Sequence, residues 1–232
     1  MAKNNIWMSV SDLMTGLMII FLFIAVAYIK RVQSNQSVLS QYVENRTTLH
    51  DKLTAEFEPE SKKGQITVTG DLSMRFENAE TLFPSGGYYL SPAYKEILSD
   101  VIPRYLNILL KDTMRDKIRE IRIEGHTDNV AAPQYDKDPY IANVILSQKR
   151  SVEVLRFIMN LPEYQSYTEE EKDLLRYWFT ANGLSYGHAL DEDGQFALLS
   201  GKDISKNNSR RVEFRLITSG DEVLENFVKQ NR

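Results

Sequence analysis

The hydrophobic positions of this chain fall into three successive regimes: one unbroken apolar run, one sparse helical stripe, and then short segments that alternate or recur at helical spacing. The run from Leu13 to Ile29 is about 17 residues, or about 26 Å as a helix. Extended back to Ile6 it is long enough to cross a bilayer. A secretory leader is the competing reading, because Ala25-Val-Ala27 resembles its small-x-small cleavage site. The apolar run continues past that site through Tyr28 and Ile29, which favours an uncleaved membrane helix. No second such run follows, so a single span is expected. Between Val32 and Ala55, Val32, Leu39, Tyr42/Val43, Leu49 and Leu53 recur at roughly helical spacing. An amphipathic helix fits, with a stripe narrow enough to pair with a second copy; a partly ordered linker fits as well. Charge and turn residues from Glu58-Pro59 to Gly64 end this segment.

From Gln65 the pattern becomes that of a globular domain. Ile66-Thr-Val68 and Leu72-Ser-Met74-Arg-Phe76 alternate as strands around Gly70-Asp71. Pro84-Ser-Gly-Gly87 is a loop. Ser91-Pro92 supplies the N-cap and first residue of a helix to about Lys111, with Ile97, Leu98, Val101, Ile102, Tyr105 and Leu109 inward. Pro103 is expected to kink or break it. Ile118–Ile123 is a strand leading into Gly125-His-Thr-Asp-Asn129, and Ala131 to Pro139 is a turn-rich excursion. A helix from about Ile141 to Met159 should carry Val144, Ile145, Val152, Leu155 and Ile158 inward. Thr168-Glu-Glu-Glu171 is a capping box for a short helix to Leu175. Tyr177–Phe179 and Arg211–Ile217 read as further strands. The expected fold is α+β: one N-terminal transmembrane helix, then an α/β sandwich with helices on one face of a sheet. The domains are expected at 1–31 (membrane helix), 32–64 (connector) and 65–232 (folded domain).

Composition sharpens this picture only at the margins. The 232 residues are 42% hydrophobic and 26% charged with a net charge of −4, enough for one ordinary domain and an appendage and unsuited to a nucleic-acid groove. Cysteine is absent, which removes disulfides and thiolate metal sites. The three histidines (His50, His126 and His188) lack ligand spacing, so no metal is expected. Asp191-Glu-Asp-Gly194 lacks the remainder of a calcium loop. No phosphate loop or nucleophile elbow is present, which points away from an enzyme.

Asp12 is the costly residue. A carboxylate at the centre of a membrane helix costs roughly 2.5–3.5 kcal/mol on insertion scales, so it usually binds an ion, relays a proton or pairs with another helix. At 3.6 residues per turn Ser9, Asp12, Thr15 and Gly16 share one face, small and polar enough to admit a neighbouring helix. A static anchor, with Asp12 near the headgroups, is the plainer alternative.

Ser11-Asp12-Leu-Met14-Thr15-Gly-Leu17-Met18 resembles the membrane helix of the B subunits of flagellar-type stator motors. The resemblance implies that Asp12 carries H⁺, or Na⁺, with Thr15 beside it. It also implies a B-subunit homodimer inside a pentameric ring of A subunits, with no cofactor beyond the transported ion. Independently, Gly125-His-Thr127-Asp128-Asn129, Asn143-Val-Ile-Leu146-Ser147-Gln-Lys-Arg150 and Arg210-Arg211-Val-Glu-Phe214 resemble the OmpA-like peptidoglycan-binding domain. This likeness covers roughly Gln65 to Ile217. It implies that Asp128 accepts the ammonium of diaminopimelate in the stem peptide and that Arg150 grips its carboxylate. A guanidinium fork opposite a carboxylate suits such a zwitterion. Thr127, Asn143 and Leu146 would line the pocket. On the plainer reading Asp128 caps a helix and Arg150 forms a surface ion pair.

The sequence departs from that family in a longer Asp128–Asn143 segment with Pro133 and Pro139, in Ser209, and in the loose Asn182–Gly187 turn. The positive-inside balance of Lys3 against Lys30, Arg31 and Arg46 leans towards a cytoplasmic C-terminal domain. Wall binding overrules it and places the domain in the periplasm, with the N-terminus cytoplasmic and the protein single-pass in the inner membrane. The short stretch before the helix and the compact connector are most similar to the B subunits of Zorya anti-phage motors, which implies cytoplasmic defence effectors reached through the A subunit. A flagellar-type stator subunit and a passive membrane-to-wall tether are the alternatives.

Overall fold

The computed structural model describes residues 3–77 and 82–221. Helix α1 runs unbroken from Lys3 to Glu56. Within it, Val10–Gln33 has a mean hydropathy of 2.3 and is long and apolar enough to cross a membrane. Leu13, Met18, Leu22 and Phe23 are all exposed, so apolar side chains face outward around most of the segment, as on a lipid-facing helix. The side chains of Ser9 and Leu39 lie outside the described residues.

The chain divides into two units, one containing the apolar segment and one compact from Asn45 onward. The compact unit therefore starts earlier than Gln65. The reason lies in the last turns of α1. Leu49 and Leu53, with Phe57 just past the helix end, are spaced four apart and buried at 2%, 0% and 0% exposure. They belong to the same hydrophobic core as Met74, Tyr105 and Phe214. This part of the stripe is used inside the domain and is not free to pair with a second copy. Arg104 ties the same segment down. Its Nε reaches Glu56 Oε1 at 2.7 Å, one terminal nitrogen reaches Glu60 Oε1 at 2.7 Å, and the other donates to the Glu56 carbonyl at 2.7 Å. Glu60 stands on the short helix α2 (Glu58–Lys62).

The sheet contains strands β1 (Ile66–Val68), β2 (Ser73–Phe76), β3 (Ile118–His126), β4 (Phe179–Gly183) and β5 (Arg211–Thr218). Their order is β1-β2-β5-β3-β4. Only the β3–β4 pair is parallel; the others are antiparallel. Alternation along the strands separates two faces. Ile121, Ile123 and Gly125 of β3 lie opposite Leu216, Phe214 and Val212 of β5 and carry the helices. Arg122, Glu124 and His126 lie opposite Arg215, Glu213 and Arg211 on the other face. The expected α+β class with helices on one face holds.

Three long helices cover the apolar face: α3 (Pro92–Leu109), α4 (Pro139–Met159) and α5 (Glu169–Trp178). Each starts on a side-chain cap, those at Ser91 and Thr168 as expected. Ser91 accepts from Tyr94 N, Asp138 from Tyr140 N and Ile141 N, and Thr168 forms a capping box with Glu171. Pro103 does not break α3, which continues to Leu109 around it. The neighbouring Val101, Ile102, Tyr105 and Leu106 are all buried, and that packing outweighs the one lost backbone hydrogen bond. Helix α5 runs through Tyr177 and Trp178, so β4 begins only at Phe179. Helix α4 also differs from expectation: Val152 is exposed, and its buried face includes Asn143, Ser147, Arg150 and Ser151. A polar buried face on a surface helix points to a site.

Candidate functional site

Helix α4 is seated directly on the ends of two strands. A Cβ on Gly125 would lie 2.3 Å from the Ser147 carbonyl oxygen, and one on Gly183 would lie 2.4 Å from Gln148 N. Only glycine allows backbone to approach backbone so closely. Ser147 Oγ then accepts from Ser185 N at 3.0 Å, and Ser151 Oγ donates to the Asn182 carbonyl at 3.0 Å. These bonds fix the helix at the point where β3 ends and the chain enters Thr127 and Asp128.

A cleft of about 400 Å³ opens there, and Thr127, Asp128, Asn143, Leu146 and Arg150 all line it. The structure thus brings together the five residues that sequence places in one pocket. Arg150 is buried, with its Nε donating to the Gly87 carbonyl at 2.9 Å and its guanidinium 4.9 Å from the centre of the Phe83 ring. Burial, with Arg210 nearby, pushes its pKa down to about 10. That environment disfavours a lone cation and favours an arriving anion. Asp128 is buried too. Its Oδ1 accepts from Val130 N at 3.3 Å, and its Oδ2 takes Arg210 through Nε at 2.9 Å and a terminal nitrogen at 2.8 Å. Asn143 Nδ2 donates to the carbonyls of Val130 and Pro139, holding the loop against the helix. The Thr127 hydroxyl is buried with no hydrogen-bond partner.

The plainer readings fail here. Asp138, not Asp128, caps α4, and Arg150 is neither at the surface nor bonded to a carboxylate among the described residues. Sequence reasoning missed Arg210 and the loop bearing Phe83 and Gly86. Arg210 was visible as half of the Arg210-Arg211 doublet, but only the fold shows that its neighbour Arg211 points to the opposite face. The excursion after Asp128 forms part of the rim, because Gln134 Nε2 and the Tyr135 hydroxyl both donate to the Gly86 carbonyl, at 3.1 and 3.0 Å. With one carboxylate and two guanidiniums, the cleft offers donors to a carboxylate and an acceptor to an amine.

In the other unit Asp12 and Thr15 stand one turn apart in the apolar helix. Both are exposed. The Thr15 hydroxyl donates to the Ser11 carbonyl at 2.9 Å, which leaves its oxygen free to accept. A Cβ on Gly16 would meet nothing within 4 Å, so no described residue packs on the helix at this position.

No family model matches the chain. Over 233 aligned residues, however, it is 30% identical to the Zorya protein ZorB of Escherichia coli (Crooks strain), covering 98% of this chain and 94% of that protein. The chain belongs to the Zorya ZorB family. A second ZorB, from an enterotoxigenic Escherichia coli strain, is 26% identical over 93% of this chain and 81% of its own length. Among solved structures, the MotB-like protein of Desulfovibrio vulgaris superposes with a TM-score of 0.52 at 22% identity, covering 77% of this chain and 98% of that one. ZorB-family membership and a MotB-like fold thus agree with the two sequence motifs.

Proposed function

We propose that this ZorB-family chain is the membrane-anchored B subunit of a MotB-like, ion-driven rotary stator in Zorya anti-phage defence, with Asp12 carrying the ion and the Asp128–Arg150 cleft holding peptidoglycan. One observation carries the reading: among the described residues, one apolar helix bearing the carboxylate of Asp12 is joined in one chain to a cleft whose buried guanidinium bonds no carboxylate. The transported ion is H⁺, with Na⁺ as the alternative. The cleft's ligand is the diaminopimelate of the stem peptide, its ammonium on Asp128 and its carboxylate on Arg150. The folded domain lies in the periplasm and the N-terminus in the cytoplasm, in a single-pass inner-membrane protein.

An ion path needs partners that this chain does not supply, because one helix cannot shield Asp12 from lipid. A homodimer within a pentameric ring of A subunits provides them, and cytoplasmic effectors act through that ring. One elementary charge crossing 100 mV releases about 2.3 kcal/mol, enough to bias one step of a ring with low barriers. Fixing the B subunits to the wall gives the ring something to turn against. The test is Asp12→Asn, scored by plaque protection, ion flux and co-purification of the A subunit. Protection and flux should vanish while the complex still assembles. A protein that defends equally well with Asn at position 12 is a tether, not a motor.

A further inference from the structure

The sheet face away from the helices carries an arrangement that the cleft does not use. Glu124 of β3 lies directly across from Glu213 of β5, and like charges directly opposed in a sheet destabilise it. Both are buried, at 5% and 2% exposure, and so is His126 at 1%, two residues after Glu124 on the same face. Arg211 and Arg75 both bond Glu213 through Oε1, at 2.5 and 2.9 Å. That leaves Glu213 Oε2 turned towards Glu124 and His126. His126 Nε2 is 3.9 Å from Glu124 Oε2 and 4.0 Å from Glu213 Oε2. Glu124 Oε2 and both ring nitrogens of His126 have no hydrogen-bond partner. Buried polar atoms are seldom left so, and a bridging water or ion is the usual reason.

We propose that Glu124, His126 and Glu213 form a zinc-class metal site. Their three donor atoms lie within 4.8 Å of one another. Ligand atoms about 2.0–2.2 Å from a tetrahedral ion are about 3.3–3.6 Å apart, so side-chain rotations that close the widest separation by up to about 1.5 Å complete the site. One imidazole nitrogen with two carboxylate oxygens suits Zn²⁺ or Co²⁺, with a fourth position for water. Ca²⁺ would need more oxygens than converge here. The opposing charge is Arg215, whose Nε lies 3.5 Å from Glu124 Oε2 without hydrogen-bonding it. Arg215 is one-third exposed and has Asp71 within 3.6 Å as another carboxylate. An entering ion displaces it outward to a partner already in place. The site escapes a sequence reading because Glu213 is far from His126 along the chain and meets it only through strand pairing.

The experiment uses the full chain in detergent, stripped with a chelator and titrated with Zn²⁺ alone against a competing chromophoric chelator. One ion per chain is expected. His126→Phe and Glu124→Gln should each weaken binding by about ten-fold or more, and Arg215→Leu should strengthen it, an effect that a purely structural ion network would not produce. Co²⁺ added to the unaltered chain should give the intense visible bands of a tetrahedral site, a reading that does not depend on any variant folding. No stoichiometric Zn²⁺ and no such bands, or binding unchanged by His126→Phe and Glu124→Gln, would overturn the proposal and assign the gap to water.

Discussion

At the residue scale, the cleft works by leaving charges half-satisfied. Arg150 spends one donor on the Gly87 carbonyl and rests on Phe83, so its position is set before any ligand arrives. Preorganisation of this kind favours affinity because no rotamer freedom remains to be lost. Arg150→Lys keeps the charge and loses the planar fork. It should therefore reduce co-sedimentation with purified sacculi about as much as Arg150→Ala, by about ten-fold or more. Asp128→Ala should do the same. Retained sedimentation by all three would remove peptidoglycan as the ligand of this cleft. The motif residues Thr127, Asp128, Asn143, Leu146 and Arg150 were picked out in sequence by resemblance to the OmpA-like domain, and the structure brings all five to one cleft. Arg210 was not, since whether it or Arg211 enters the cleft depends on where β5 begins its alternation.

At the element scale, helices were legible wherever a cap and an apolar stripe coincided, as at Ser91 and Thr168. Pro103 misled because the local rule for proline ignores the packing that surrounds it. The end of α1 misled for the opposite reason: Leu49 and Leu53 belong to a stripe whose partner, the domain core, is distant in sequence. Arg104 is what secures that end. Its hydrogen bond lowers the Glu60 carboxyl below the ordinary value of 4.5. A depressed carboxyl contributes stability above its unfolded value and loses it as pH falls through the folded one. Arg104→Ala should therefore cost about 1–2 kcal/mol at pH 7. Urea midpoints of the two proteins should converge as pH falls from 5 to about 3. A gap that stays constant with pH would show that Arg104 acts through packing on Phe57 rather than through charge.

At the scale of the whole molecule, the folded unit is larger than its motifs. A fragment beginning at Gln65 holds every recognisable motif of the domain but lacks Leu49, Leu53 and Phe57. Full burial of each such side chain contributes about 1.5–3 kcal/mol, so their loss removes roughly 5–9 kcal/mol from a fold of ordinary stability, about 5–15 kcal/mol. A fragment from Asn45 should melt cooperatively, whereas one from Gln65 should be largely unfolded or aggregate. Equal circular-dichroism melts for the two would contradict this boundary. Resemblance located the domain by its chemistry, and chemistry is concentrated near the cleft. The opening helical stripe carries no chemistry, and only the packed core shows where it belongs.

The contact between Gly125 and Ser147 has a consequence for how such a protein can diversify. Asp128 is placed by β3 and Arg150 by α4, and these two elements touch where Gly125 meets the Ser147 carbonyl. The chain from Ala131 to Asp138 joins them without setting their separation. Apart from Ala132, Gln134, Tyr135 and Asp138, which are held by packing or hydrogen bonds, that stretch can change over generations while Asp128 and Arg150 keep their spacing. The same freedom makes it the natural place to graft a fluorophore or an epitope beside the cleft.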